Sequence, residues 1–124
     1  TDHDFGRRIE RTIASHGVDT SHVVWTDQDR VGTYYFEEGS PPRTNRVIYD
    51  RAASAFTRFA ADQLPENLFV PGNSRLLHVT GISLALGETT RTMIHRAVDL
   101  AKQAGWRVSF DVNYRVKLWP VNEA

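Results

Sequence analysis

Residues 76 to 112 constrain the fold of this chain most. Leu76 to Thr80 is a compact apolar run that reads as a strand. Glu88 to Ala104 follows with Met93, Ile94, Ala97, Val98 and Ala101 on one helical face, and Gly105 ends it. Arg107 to Val112 reads as another strand. A strand, a helix and a strand of this length make a parallel crossover, which is right-handed in nearly all sheets. The chain is therefore expected to be α/β, with ligands held beyond the carboxyl ends of the parallel strands.

The residues before this unit follow a different pattern. Residues 4 to 15 read as a helix, with Asp4 as its cap, Phe5, Ile9 and Ile13 on one face, and Gly17 as its stop. His22 to Trp25 reads as a short strand. Val31 to Glu37 and Arg46 to Arg51 read as an antiparallel hairpin around the loop Gly39-Ser40-Pro41-Pro42-Arg43-Thr44-Asn45. An Ala-rich stretch over 52 to 63 suggests a short helix, and Gly81 to Gly87 a loop.

Two polar groups stand out. Asp111, Asn113 and Arg115 fall at i, i+2 and i+4 after the last apolar run, so an extended chain would put them on one face. A carboxylate, an amide and a guanidinium would then meet at a strand end, where the arginine fork suits a carboxylate or phosphate. The same spacing also fits a solvated turn. Tyr49 and Arg51 alternate on one strand face, with Tyr34 on the partner strand. That group could hold a polyol with an acidic end; by pattern alone an ordinary cross-strand aromatic pair beside a surface arginine is the favoured reading.

Other chemistries find little support. The 15 basic and 15 acidic side chains balance, which argues against a nucleic-acid stripe or a surface for anionic membranes. Cysteine is absent, so disulfide and thiolate chemistry are excluded within these residues; this fits a reducing cytoplasm. No apolar run approaches the roughly 20 residues of a spanning helix. The histidines His3, His16, His22, His78 and His95 lack metal-ligand spacing, and His78 is expected to be a hydrogen-bonded core residue. There is no GxGxxG and no Walker loop. Ser83 lacks a nucleophile-elbow context. Asp27, Asp29 and Arg30 read as a solvated turn, and Trp25, Trp106 and Trp119 as packing residues. Because the chain opens on a helix without Met and stops where another helix could start, it is expected to be an interior piece of a larger protein.

Taken in order, Gly17-Val18-Asp19-Thr20, Gly32-Thr33-Tyr34, Arg46 to Arg51 with Ser54-Ala55, Thr80 to Leu86, and Asp111-Val112-Asn113-Tyr114-Arg115 with Leu118-Trp119 resemble the ribokinase-like (PfkB) carbohydrate kinases. The resemblance spans nearly the whole chain. It implies a Rossmann-type α/β sandwich with a small β-sheet lid, present in part. Residues 1–21 would be a helix and turn of the core, 22–51 the lid strands, and 52–124 a core segment.

The resemblance also implies a sugar site. Tyr34, Tyr49 and Arg51 would contact a sugar acid, and Ile82 would line the pocket. Arg115 would face the substrate carboxylate or the incoming phosphate, with Asn113 supporting that region. The family's reaction transfers a phosphoryl group from ATP, with Mg²⁺, to a sugar hydroxyl. Its catalytic carboxylate, its Gly-Ala-Gly turn and its adenine site lie downstream of the matching residues, and its first strand lies upstream. No catalytic residue or metal ligand is thus expected among these 124 residues. The substrate class implied is a 2-keto-3-deoxy sugar acid, with fructose or another sugar acid as the alternative. A cytoplasmic protein, and an oligomer formed through the lid, are implied as well. The remaining alternative is a truncated, non-catalytic sugar-binding or association module.

Overall fold

A computed structural model describes residues 1–118, and Trp119 lies outside the described residues. The chain divides into two compact units, Thr1–Thr57 and Arg58–Ala124.

In the first unit, helix α1 (Asp4–Ala14) starts at Asp4, and its cap is His3, one residue before the expected cap. The His3 ring accepts from the Gly6 N–H through Nδ1 at 3.2 Å. Asp4 sits inside the first turn, where a carboxylate favours the helix dipole without capping. Gly17 takes φ +79, a left-handed conformation that ends the helix cheaply only for glycine. The expected strand over 22–25 is not formed. Val23 and Val24 have no ladder partner, and a strand needs one to satisfy its backbone. This segment is tied to α1 instead: the Asp2 N–H donates to the Thr26 carbonyl at 2.7 Å, and the Arg7 guanidinium lies 3.7 Å from the Trp25 ring centroid.

The hairpin forms as an antiparallel pair, β1 (Thr33–Glu37) and β2 (Arg46–Asp50), shorter at its ends than the sequence suggests. Its register pairs Tyr34 with Tyr49 and Phe36 with Val47. Alternation puts Tyr34, Phe36, Val47 and Tyr49 on one face, and Thr33, Tyr35, Glu37, Arg46, Ile48 and Asp50 on the other. The Ala-rich stretch gives only a single turn, α2 (Ala55–Arg58), followed in the second unit by a 3₁₀ turn, Ala61–Gln63. Ala53 just before it has φ +51, which blocks an earlier helical start.

The second unit contains the expected crossover. Strand β3 (Leu76–Thr80) pairs in parallel with β4 (Arg107–Asp111), Leu76 opposite Arg107 and Thr80 opposite Asp111. Between them run α3 (Gly81–Leu84) and α4 (Glu88–Gln103). The short α3 replaces an expected loop because the Thr80 hydroxyl accepts from the Ile82 N–H and caps it. The buried side of α4 is Thr90, Met93, Ala97, Leu100 and Ala101, rotated slightly from the expected face, so Ile94 and Val98 are only half-buried. Its carboxyl end closes with the Gly105 N–H on the Lys102 carbonyl and the Trp106 N–H on the Ala101 carbonyl, with Gly105 at φ +76. Trp106 packs as expected: it stacks on Phe69 at 5.3 Å and donates to the Val70 carbonyl. His78 is not a core residue. It is exposed on the sheet and shares a 3.1 Å hydrogen bond with its cross-strand partner Ser109.

Candidate functional site

Three of the six expected sugar contacts fall in each unit. In the first unit the hairpin gathers Tyr34, Tyr49 and Arg51. The tyrosine rings are cross-strand partners with centroids 6.4 Å apart, tilted by 48°. The Arg51 guanidinium lies over the Tyr49 ring, 4.4 Å from its centroid. A cation on an aromatic face keeps its N–H donors free around its rim. Tyr34 is 67% exposed and Tyr49 45% exposed, so both side chains are open to solvent. Phe36 continues the aromatic face toward the loop. This surface offers two phenol groups and one guanidinium, a set that can hydrogen-bond hydroxyls and pair with an acid.

In the second unit, Ile82, Asn113 and Arg115 lie at the carboxyl end of the parallel strands. The spacing argument that put Asp111, Asn113 and Arg115 on one extended face does not hold. Strand β4 stops at Asp111, and Asn113 takes φ +37, a conformation asparagine tolerates better than most residues. The chain then turns: Leu118 donates to the Arg115 carbonyl at 2.8 Å, and Arg115 Nη1 to the Tyr114 carbonyl at 3.1 Å. Arg115 is exposed at this turn.

What keeps this end compact is Gly81. A Cβ built there would stand 2.2 Å from the Val112 carbonyl oxygen. The start of α3 and the exit of β4 thus touch through backbone, which places Ile82 beside the 111–113 segment. Gly81 was not singled out by the sequence. The signal present was a glycine at a strand-to-helix turn.

Sequence reasoning also missed Arg30. Far from lying in a merely solvated turn, its guanidinium grips Asp50 and the Ala52 carbonyl at the base of β2. No local pattern reveals such a partner 20 residues away.

Among the described residues, no group of three or more His, Cys, Asp or Glu could hold a metal ion. No helix is long and apolar enough to cross a membrane. The hairpin presents two phenols and a guanidinium, and the 113–115 turn of the second unit carries an amide and a guanidinium.

A parallel crossover unit, preceded in sequence by a small antiparallel hairpin, places the chain in the α/β class. The model of the pfkB family carbohydrate kinases matches residues 2–124, and the chain belongs to that family. It is 38% identical to the 2-dehydro-3-deoxygalactonokinase of Haloferax volcanii, over 99% of this chain and 38% of that protein. It is 36% identical to the 2-dehydro-3-deoxygluconokinase of Thermoproteus tenax, over 96% of this chain and 35% of the relative. Fructokinases match as well, with Fructokinase-1 of Zea mays 32% identical over 98% of this chain and 36% of its own length. The crystal structure of 2-dehydro-3-deoxygluconokinase from Thermotoga maritima superposes with a TM-score of 0.86 at 29% identity, covering 98% of this chain and 37% of that one. The fold is therefore ribokinase-like in part, and the chain spans less than two fifths of these relatives.

Proposed function

We propose that these residues are the sugar-binding segment of a kinase that phosphorylates 2-keto-3-deoxygluconate or a close sugar acid, with ATP as phosphate donor. The observation that carries this reading is Arg51 held over Tyr49, beside Tyr34, on one face of the hairpin. A guanidinium presented with free donors pairs with a planar carboxylate through two parallel hydrogen bonds. The two phenols would meet sugar hydroxyls. Arg115 would meet a second anionic group, the acid or the phosphoryl group in transit, with Asn113 shaping the turn and Ile82 supplying apolar contact. The names of the two sugar-acid kinases among the relatives support an acid as substrate.

ATP and Mg²⁺ would supply the phosphoryl group and its charge neutralisation. In this reading the segment binds and orients the sugar for that transfer.

The second reading, a fructokinase-type substrate, rests on the match to the Zea mays protein. A substrate panel on the whole protein separates the two. The sugar acid should exceed fructose in kcat/KM, and Arg51→Ala should cost about 30-fold or more in KM for the acid, as expected for removing one partner of a hydrogen-bonded charge pair. Equal or better turnover of fructose would sink the sugar-acid reading. The 124 residues purified alone should show no ATP-dependent turnover. Activity there would overturn the assignment of catalysis to other parts of the protein.

A further inference from the structure

Arg30 precedes the hairpin, yet its side chain reaches the hairpin's far end. Nη1 donates to the Asp50 carbonyl at 3.2 Å and to Asp50 Oδ2 at 3.1 Å. Nη2 donates to Asp50 Oδ1 at 2.6 Å and to the Ala52 carbonyl at 2.8 Å. These acceptors sit on residues 50 and 52, one on each side of Arg51. The guanidinium thus spans the backbone that carries the candidate carboxylate-binding arginine.

Three further contacts hold the same stretch. The Ala55 N–H donates to the Arg30 carbonyl at 2.9 Å, within a bridge between Arg30 and Ser54. Ser54 is 3% exposed. At Gly32 a Cβ would meet Arg51 Cβ at 3.1 Å and Ser54 Oγ at 3.3 Å, so the segment before β1 passes close to the root of Arg51 and leaves little room there for any residue but glycine.

Charge matters as much as geometry. Asp50 and Arg51 are neighbours in sequence but point to opposite faces of the strand. With Arg30 on its carboxylate, Asp50 is neutralised where it stands, and Arg51 stays over Tyr49. Without Arg30, an unpaired carboxylate would remain one residue from Arg51. It would draw the guanidinium toward itself and repel an anionic ligand.

We infer that Arg30 is a positioning residue that holds the backbone on both sides of Arg51, and the Asp50 carboxylate, so that Arg51 is preorganised to receive the acid group of the substrate. This rests on the reading of Arg51 given above. Only a planar fork reaches four acceptors on two residues, so lysine is an incomplete substitute.

The test is a double-mutant cycle in the whole protein, with KM measured separately for the sugar acid and for ATP. Arg30→Ala should raise the KM for the acid about tenfold and leave the KM for ATP within about twofold, because the loss acts through one contact. The Arg30→Ala/Arg51→Ala double variant should be no worse than Arg51→Ala alone. Arg30→Lys should recover part of the loss, and it carries the same comparison if Arg30→Ala does not fold. Equal fold-losses from Arg30→Ala in both backgrounds would overturn the inference, as would an ATP KM that rises in step. If Arg51→Ala itself leaves the acid KM unchanged, the substrate reading fails and the inference falls with it. If Arg51→Ala has its effect but removing Arg30 has none, the inference fails alone.

Discussion

Among the described residues, the buried hydrophobic side chains are Val79, Met93, Ala97, Leu100, Ala101 and Ala104, and all of them follow Arg58. In the stretch before it, the buried residues are Gly6 and Ser54, neither of which contributes apolar area of any size. The second unit is built around a helix laid on a parallel strand pair, so its stability comes from removing apolar surface from water. The first unit leaves Phe5, Ile9 and Ile13 of α1, and aromatic residues on both faces of the hairpin, open to solvent. It is held by polar links: Arg7 on Asp2, Arg30 on Asp50, and Arg7 over Trp25. Links of that kind are directional but individually weak at a surface, each worth about 0–1 kcal/mol. The comparison teaches that the two candidate sugar-contact groups stand on supports of different kinds. Arg115 extends from an apolar-cored unit, whereas Arg51 depends on a few hydrogen bonds around it.

The sharpest way to break this contrast is to hollow out the core of the second unit. Met93 is 4% exposed on the inner side of α4. Met93→Ala should lower the stability of the whole protein by about 2–5 kcal/mol, the range for deleting a buried side chain of this size. Chemical denaturation measures it. Hydrogen exchange on the same sample should show the α4 amides losing protection while those of α1 change little. Equal losses in α1 and α4 would mean that the two units unfold together and that the contrast drawn here has no energetic content.

A smaller effect is expected at Gly81, where the strand-to-helix turn meets the exit of β4. Gly81→Ala forces a methyl group against the backbone carbonyl oxygen of Val112, with no flexible side chain to give way. Overpacking of this kind costs about 1–3 kcal/mol. Because the displaced carbonyl is next to Asn113, the variant should lose affinity for the sugar acid in titration calorimetry beyond what its stability loss explains. Unchanged affinity would separate the 113–115 turn from the turn at α3.

These two residues also show what the sequence reveals and what it conceals. Strand 76–80 is readable to the residue because a short apolar run is bounded on both sides. The hairpin that puts Tyr34 on the strand partnering that of Tyr49 is readable from two strand-like runs around a proline-rich loop, and the structure makes the two tyrosines direct partners. Both are local signals. The strand expected over 22–25 failed because strand formation needs a partner elsewhere in the chain, which two adjacent valines cannot announce. The shared face for 111, 113 and 115 failed because alternation ends with the strand, and one left-handed asparagine redirects everything after it. Arg30 was hidden for the opposite reason. Its neighbours Asp27 and Asp29 make it look like part of a solvated turn, while its partners are 20 and 22 residues away. Tyr34, Tyr49, Arg51, Asn113 and Arg115 stand out by pattern, whereas Ile82 and the role of all six as sugar contacts come through family resemblance. The geometry adds how Tyr34, Tyr49 and Arg51 are held, which resemblance does not supply.

The smallest expected effect tests whether the polar links of the first unit reach beyond Arg30. Asp19 sits in the turn after α1, and its Oδ1 accepts from the Ser21 N–H at 2.9 Å. That backbone hydrogen bond, first among its causes, holds the Asp19 carboxyl below the ordinary aspartate value, with the Ser21 side chain and nearby His22 acting in the same direction. The group is fully exposed, so its effect on stability is small. A depressed folded-state pKa means that the contribution is present above the unfolded value and is lost as pH falls through the folded one. The carboxyl carbon of Asp19, followed by NMR through an acid titration, should therefore change at a lower pH than that of an unstructured aspartate. Ser21→Pro removes the donating N–H and should move the midpoint back up toward the ordinary value. A midpoint that ignores this substitution would show that the turn is not ordered by Asp19, and that polar support in this unit is confined to the Arg7 and Arg30 links.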